Sequence, residues 1–212
     1  MRARSRVWAC VLGSVIVAAS GLGGASAQSP ARVLSDAEKQ LAYQIEDATV
    51  RQLRASPTNP WAGKAIPQLA RTPAGRVQKS VVTEVTLLGS PGTSTPSERQ
   101  ARVTRYEYAS GVTVMTVIDL NAGTVIDVRA EANRPTPLSA DEIQRAIALA
   151  GRAIADLAVT PRSALQILSV IESKPTSRRY GHRLVAVWRD GPPPSRRVLV
   201  DLTTEQVVDA NF

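Results

Sequence analysis

Four aspartates of this sequence are spaced so that their side chains could act together in binding a cation. Asp119 and Asp127 flank one predicted turn, and Asp201 and Asp209 flank another turn 82 positions later. If Asp119 lies opposite Val125, then Asp127 is its diagonal neighbour, about 7–8 Å away by backbone, and the two carboxylates could share a hard cation such as Ca²⁺. Because aspartates are common beside turns and the opposite face is apolar, we expect these four to form the solvated face of a sheet.

The supply of histidine and cysteine limits the possible metal and nucleophile chemistry. His182 is the only histidine, and the only cysteine, Cys10, lies in the amino-terminal segment. A metal site built on imidazoles and thiolates needs several such ligands, so we expect His182 to be solvated or to make one hydrogen bond. A Ser-His-acid triad stays open because serines are abundant, but no Gly-x-Ser-x-Gly or Gly-x-Gly-x-x-Gly motif is present. The sequence therefore predicts a non-catalytic protein without a cofactor.

Positive charge is concentrated in two stretches of a chain whose formal net charge is +8. No acid occurs over 48–83, and Asp190 is the only acid over 174–197. Such stretches can bind an anionic polymer, lipid head groups or an acidic protein, although a solvated face without a partner is the alternative. Few aromatic residues are interleaved, which argues against specific nucleic-acid binding. The candidate anion-binding or partner-binding residues are Arg178, Arg179, Arg183, Arg196 and Arg197.

The amino-terminal segment predicts export. Three arginines precede an apolar stretch over 7–19 that is shorter than the roughly 20 residues needed to span a bilayer. Ala25-Ser26-Ala27 is a small-x-small cleavage site that would make Gln28 the first mature residue. We therefore expect a signal peptide over 1–27, a periplasmic or secreted protein, and no transmembrane segment in the mature chain.

Two helices and two sets of strands would position these residues. The helices are predicted over Ser35–Arg54 and from Ser139 to about Ala158, each opened by a Ser-x-x-Glu capping box that ends at Glu38 or Glu142. A proline-rich insertion over 55–80 follows the first helix. The predicted strands are Val81–Leu88, Arg99–Ala109, Val112–Leu120 and Thr124–Ala130 in the first half, and Ala164–Ile171, Arg183–Arg189, Arg197–Leu202 and Gln206–Ala210 in the second half.

The second half repeats the pattern of the first. Val117-Ile118-Asp119-Leu120 has its counterpart in Leu199-Val200-Asp201-Leu202, and both helices begin with Leu-Ser. Because similarity at a fixed spacing is typical of repeated structural units, the sequence predicts an internal duplication. We expect an α+β protein of two tandem units over 28–132 and 133–212, each with one helix packed on a four-stranded antiparallel sheet.

The repeated phrases resemble a known family. A helix opened by Pro137-Leu138-Ser139-Ala140-Asp141-Glu142-Ile143, followed by strands with Arg197-Val198-Leu199-Val200-Asp201-Leu202, is similar to the second and third amino-terminal domains of copper amine oxidases. The resemblance implies a cystatin-like or PepSY-like fold without the catalytic domain. That family forms a quinone cofactor from the first Tyr of an Asn-Tyr-Asp/Glu-Tyr motif and binds copper with three histidines. Arg105-Tyr106-Glu107-Tyr108 matches the motif at three of four positions, but the single histidine implies neither copper nor quinone.

The function expected from the sequence is binding. We predict an exported protein that docks on another exported protein, with an exposed sheet edge as one possible contact. The alternatives are an accessory subunit or an enzyme with an unrecognised site, related to amine oxidases, and an electrostatic binder of anionic envelope polymers.

Overall fold

The computed structural model describes residues 33–56, 64, 80–88, 99–189 and 197–210. The predicted signal peptide over 1–27 lies outside the described residues, and so does the proline-rich insertion over 55–80 apart from Ala55, Ser56, Lys64 and Ser80. Arg196 also lies outside them. The fold described below is therefore that of the two helix-and-sheet halves and of the linker between them.

The described residues form helices and two four-stranded antiparallel sheets, so the predicted α+β class is confirmed. The first sheet has the order β1-β2-β3-β4 and the second has the order β5-β6-β7-β8. The elements of the first half are α1 (Asp36–Ala55), β1 (Ser80–Leu88), β2 (Gln100–Glu107), β3 (Val112–Asp119) and β4 (Thr124–Ala132). Those of the second half are α2 (Ala140–Ala153), α3 (Ala155–Val159), β5 (Leu165–Val170), β6 (Leu184–Arg189), β7 (Val198–Asp201) and β8 (Gln206–Asp209).

Both predicted helix starts are confirmed at atomic detail. The Ser35 hydroxyl accepts from the backbone N–H of Glu38 at 3.3 Å, and the Glu38 carboxylate accepts from the Ser35 N–H at 2.8 Å. The same two bonds occur between Ser139 and Glu142, at 3.2 and 2.8 Å. Each box satisfies backbone donors that have no partner within the helix, which explains why both helices begin where the local sequence indicates.

The second helix ends earlier than predicted. We expected it to continue to about Ala158, but α2 ends at Ala153 and Ile154 adopts an extended conformation before the short α3. Gly151 makes room for the chain that follows this break, because a Cβ atom at this position would stand 2.8 Å from the Cβ of Ala158. The glycine therefore lets α3 fold back closely against the last turn of α2, a contact that a side chain at this position would obstruct.

We predict that Gly151→Ala destabilises the protein, although alanine has the higher helix propensity by about 1 kcal/mol. The overpacked contact should reduce the free energy of unfolding by about 1–3 kcal/mol, measured by chemical denaturation. Ala158→Gly in the same chain removes the obstructing Cβ, so the double variant should show a coupling of about 1 kcal/mol or more. A Gly151→Ala protein more stable than the parent would contradict the packing account.

Each helix covers one apolar face of its sheet. The face opposite the turn aspartates was expected to be apolar, and along β3 and the residue after it this face is buried, at Val114, Thr116, Ile118 and Leu120. The first core combines Ala42 and Val50 of α1 with side chains of β2 to β4. In the second half, Ala146, Leu149 and Ala150 of α2 pack on Val185, Val187, Val198, Val200 and Leu202. These two helix–sheet cores set the positions of the polar side chains between them.

The hairpin register is the same in both halves and differs from our expectation. Asp119 pairs with Thr124, not with Val125, because the turn between them holds the four residues 120–123. A bulge then adds Ile126 to β4, so that Val117 pairs with Asp127. Asp201 pairs with Gln206 in the second half, where β8 contains a bulge at the corresponding place. The backbone N–H of the residue after each aspartate then donates 2.9 Å to the carbonyl of an arginine, Arg99 or Arg183.

Candidate functional site

Asp119 and Asp201, the first aspartate at each turn, accept hydrogen bonds from the backbone of the turn and do not share a cation with Asp127 or Asp209. Asp119 accepts from the N–H groups two and three residues later at 2.9 and 3.0 Å, and Asp201 does the same at 2.8 and 3.3 Å. Asp127 makes an ion pair of 2.7 Å with Arg129 on the surface, and Asp209 is exposed. Within the described part of the chain, no group of three His, Cys, Asp or Glu side chains is placed to hold a metal ion. The two turn aspartates therefore fix the hairpins.

Asp201 corrects our expectation that all four aspartates lie on a solvated face. Its side chain is buried, and one of its oxygens is 2.5 Å from Nδ1 of His182, which is also buried. The expected single hydrogen bond of His182 is thus confirmed, with a carboxylate as the partner. The contact with Asp201 orients the imidazole, as carboxylates orient histidines in hydrolases. However, no described group lies within hydrogen-bond distance of the buried Nε2.

A small cleft beside His182 has room for about one water molecule. Tyr106, Ser169 and Arg183 are among its lining residues. The Ser169 hydroxyl accepts a long hydrogen bond from Arg183 at 3.4 Å, and it makes none to His182. Ser169 and His182, the candidate serine and histidine of a triad, therefore line the same cleft without a hydrogen bond between them.

Arg183 does not belong to the predicted basic surface. Only 3% of it is exposed, because its guanidinium forms a fork with the carboxylate of Glu142, at 2.8 Å from Nε and 3.2 Å from Nη2. Its Nη1 also donates to the hydroxyl of Thr136 at 2.7 Å, in the linker between the two halves. An arginine whose donors are satisfied in this way contributes to the fold and leaves no charge for an external anion.

Glu142 is the centre of a buried polar cluster that joins the halves. Besides Arg183 and the backbone of Ser139, its carboxylate accepts from the hydroxyl of Tyr108 at 2.7 Å. Burial acts to raise the pKa of Glu142, but the hydrogen bonds and positive charge of Arg183 outweigh burial and lower the pKa below its ordinary value. The carboxylate is therefore held ionised inside the protein.

The two tyrosines of the cofactor-like motif are part of this junction. Tyr106 and Tyr108 are buried on the same face of the sheet, with their rings edge to face and their centroids 5.1 Å apart. The Tyr106 hydroxyl donates to the carbonyl of Gly181 at 2.6 Å, and the guanidinium of Arg183 lies 5.0 Å from the centre of the Tyr106 ring. Burial raises the pKa of both tyrosines. Their hydroxyls are thus neutral donors that connect β2 and its end to the second half.

The charged residues of that motif point the other way, towards α1. Arg105 pairs with the fully buried Glu46, and Glu107 pairs with Arg54. Because successive side chains of a strand point to opposite faces, the two tyrosines of the motif face the second half and its two charged residues face α1.

The ion pair between Glu142 and Arg183 has a counterpart in the first half. Glu38 occupies the same capping-box position in α1 and pairs with Arg99, the residue before β2. That pair is partly exposed, with 24% and 17% of the side chains accessible, whereas the values for Glu142 and Arg183 are 0% and 3%. The hydrogen bond from Arg99 is the main reason that the pKa of Glu38 is lowered to about 2. Sequence reasoning found both capping boxes but missed their arginines, although each arginine is the residue just before the second strand of its half.

We predict that Glu142→Gln is far more costly than Glu38→Gln, although both keep the capping geometry, which accepts Gln as well as Glu. Glu142→Gln leaves the buried Arg183 without a counter-charge and should reduce the free energy of unfolding by about 3–5 kcal/mol. Glu38→Gln should cost less, about 1–2 kcal/mol, since the partly exposed Arg99 keeps some contact with water. Urea denaturation of the two variants tests this, and equal losses would show that burial does not distinguish the two pairs.

The same variants predict a dependence on pH. Because the folded-state pKa of Glu142 is lowered, the stabilisation from its charge is present above the ordinary carboxyl pKa and is lost as pH falls through the lowered value. The stability difference between the parent and Glu142→Gln should therefore shrink on acidification below about pH 4.5. A difference that grows in acid would mean that Glu142 carries a proton in the folded state.

Of the five arginines predicted to bind an anion or a partner, three are on the described surface. Arg178 and Arg179 are exposed in the segment between β5 and β6. Arg197 is exposed and lies 5.1 Å from the ring centre of the half-buried Trp188. With Arg183 buried and Arg196 outside the described residues, the basic surface is smaller than the sequence indicated.

Comparisons with known proteins give similarity to solved structures alone. No protein-family model matches the chain, and no curated protein matches it. Among solved structures, it is similar to part of a copper-containing benzylamine oxidase from Hansenula polymorpha, with a TM-score of 0.46 and 17% identity. The match covers 84% of this chain and 29% of that one, so this chain spans less than a third of the oxidase. In the described part, no helix is long and apolar enough to cross a membrane.

Proposed function

We propose that this protein is an exported, non-catalytic interaction protein that docks on another exported protein. The observation that carries the proposal is the use of its polar side chains. The residues best suited to chemistry, namely Tyr106, Tyr108, Glu142, Arg183 and Asp201, are buried and bonded to one another or to backbone. Groups committed in this way stabilise a scaffold, which leaves the exposed surface as the part available for recognition.

We further propose that the scaffold is a tandem pair of PepSY-like or cystatin-like units over 28–132 and 133–212. The support is that three separate details recur in both halves. These are the Ser-x-x-Glu cap, the bulge in the last strand, and the arginine that receives a backbone hydrogen bond while pairing with the capping glutamate. Independent origins for all three details would be a less economical explanation than duplication.

Export rests on the sequence of the first 27 residues, with cleavage before Gln28 as the expected processing event. An exported protein without a cysteine in its mature part cannot form disulfides, so its stability must come from packed cores and buried polar contacts of the kind described above. Packed cores and buried polar contacts would therefore keep the proposed binding surface stable outside the cytoplasm.

We predict that the protein forms a discrete complex with another exported protein in its native envelope. A photo-crosslinking amino acid would be placed singly at Val33, Ile126, Leu168 and Val207, which are exposed apolar positions in different parts of the fold. At least one position should give an adduct of defined mass, and the purified pair should bind with a Kd of about 10 µM or tighter. The control is the chain without residues 1–27, which should remain in the cytoplasm and give no such adduct.

Three results would contradict the proposed function or favour its alternative. An amino terminus at Met1 in the native cell, in place of Gln28, would remove the basis for export. The absence of any protein adduct from all four positions would argue against docking. If the chain instead binds a soluble polyanion with an affinity that falls steeply with salt, the exposed Arg178, Arg179 and Arg197 favour the second candidate, an electrostatic binder of envelope polymers.

A further inference from the structure

One edge of the second sheet differs from the other edges that the structure describes. The strands at the edges are β1, β4, β5 and β8. Natural proteins protect such edges with charges, prolines or bulges, because unpaired backbone groups invite another strand. Bulges interrupt β1 at Thr83, β4 at Ile126 and β8 at Val208, and all three strands contain charged residues. The strand β5 pairs with β6 without any shift and contains no charge, proline or glycine.

The side chains of β5 also differ between its two faces. Leu165 and Ile167 pack into the core beneath α2, which holds the strand in place. Leu168 points to the other face and is 59% exposed at the middle of the strand.

The six residues of β5 span about 20 Å, the usual length of a paired strand. Side chains hold the backbone at both ends, since Arg162 donates to the Leu165 carbonyl at 3.2 Å and Asn133 donates to the Glu172 carbonyl at 3.1 Å. The middle of the strand is therefore the part of the edge that an added segment would pair with.

Positive charge lies at both ends of this neutral strand. Arg162 and Arg189 are exposed beside Leu165, its first residue, and Arg189 is its partner in the β5–β6 register. Beyond its last residue, the segment leading to β6 carries exposed Lys174, Arg178 and Arg179 against a single acid, Glu172. The edge is therefore apolar in the middle and basic at the ends.

We propose that the β5 edge binds an extended acidic segment of the exported partner, which adds as a fifth strand beside β5. The proposal rests on the interaction function proposed above and states where the partner binds and what kind of segment it offers. Backbone hydrogen bonds would provide affinity, Leu168 an apolar contact, and the flanking arginines and lysine a preference for acidic ends. Antiparallel pairing with a second copy is disfavoured, because it would bring the basic end of one β5 against the basic end of the other.

Synthetic peptides test the edge on the whole mature protein. The probe has six alternating valine and threonine residues between two pairs of glutamates, and lysines replace the glutamates in the matched control. At about 1 mM, the acidic peptide should slow amide hydrogen exchange over 165–170 by about five-fold or more, with little effect over 124–132 in the bulged β4. The lysine peptide, and an acidic peptide with its six central amides N-methylated, should give no protection.

Two variants locate the effect in the edge. Leu168→Asp places a negative charge on the exposed face and should abolish the protection by the acidic peptide. Ile126→Asp is the matched control, because Ile126 is 51% exposed on the bulged edge β4, and its substitution should leave the protection unchanged. Equal protection by both charged peptides, protection of β4 instead of β5, or no protection by the acidic peptide would each overturn the proposal.

The outcome is separable from that of the proposed function. Adducts with an exported protein from Val33, Ile126 or Val207 but none from Leu168 would leave the interaction function standing and reject the β5 edge. Adducts from Leu168 to a second copy, or within the same chain, would also reject an exported partner at this edge. Failure to form any adduct with another protein would reject the proposed function itself, whereas the peptide experiment would still report on the edge.

Discussion

The buried ion pair between Glu142 and Arg183 is the contact on which the rest of the structure depends. It joins the start of α2, the residue before β6 and the linker at Thr136, and through Tyr108 it reaches the first sheet. Removing two charges from water is costly, and the cost is offset only when the remaining hydrogen-bonding groups are also satisfied. The many partners of this pair meet that condition, which makes the junction specific as well as stable.

The Glu38–Arg99 pair of the first half joins the same two kinds of residue, a capping glutamate and an arginine, but it is less buried than the Glu142–Arg183 pair. Glu38 and Arg99 close their helix–sheet contact at the surface, where water can replace either partner at little cost. In the second half, the same geometry is covered by the two tyrosines of β2 and its end. The Glu38–Arg99 pair connects a helix to its own sheet. The Glu142–Arg183 pair does the same in the second half and, through Tyr108, also connects the two halves.

The same arrangement occupies most of the polar side chains that the sequence offered for chemistry. The tyrosines, the acid–histidine pair and the turn aspartates are occupied in holding elements together. The bulges at the other edges twist or interrupt strands that could otherwise take on another strand. Among the edges that the structure describes, β5 alone is regular and uncharged, and natural proteins usually protect such an edge because it carries a risk of aggregation.

The sequence by itself determined the features that arise from neighbours along the chain. The two capping boxes, the inward face of β3 and the eight strands follow from interactions over a few residues, and these predictions agree with the structure. It also determined that His182 has no other histidine with which to share a metal. Tertiary structure decided the burial of Arg183 and Asp201, the break of α2 after Ala153 and the one-residue shift opposite Asp119. Arg183 and Asp201 are buried by contacts with Glu142 and His182, which lie far from them along the chain, so no local pattern indicated their burial. The break of α2 depends on the packing of Ala158 against Gly151, and the shift opposite Asp119 depends on the length of its turn.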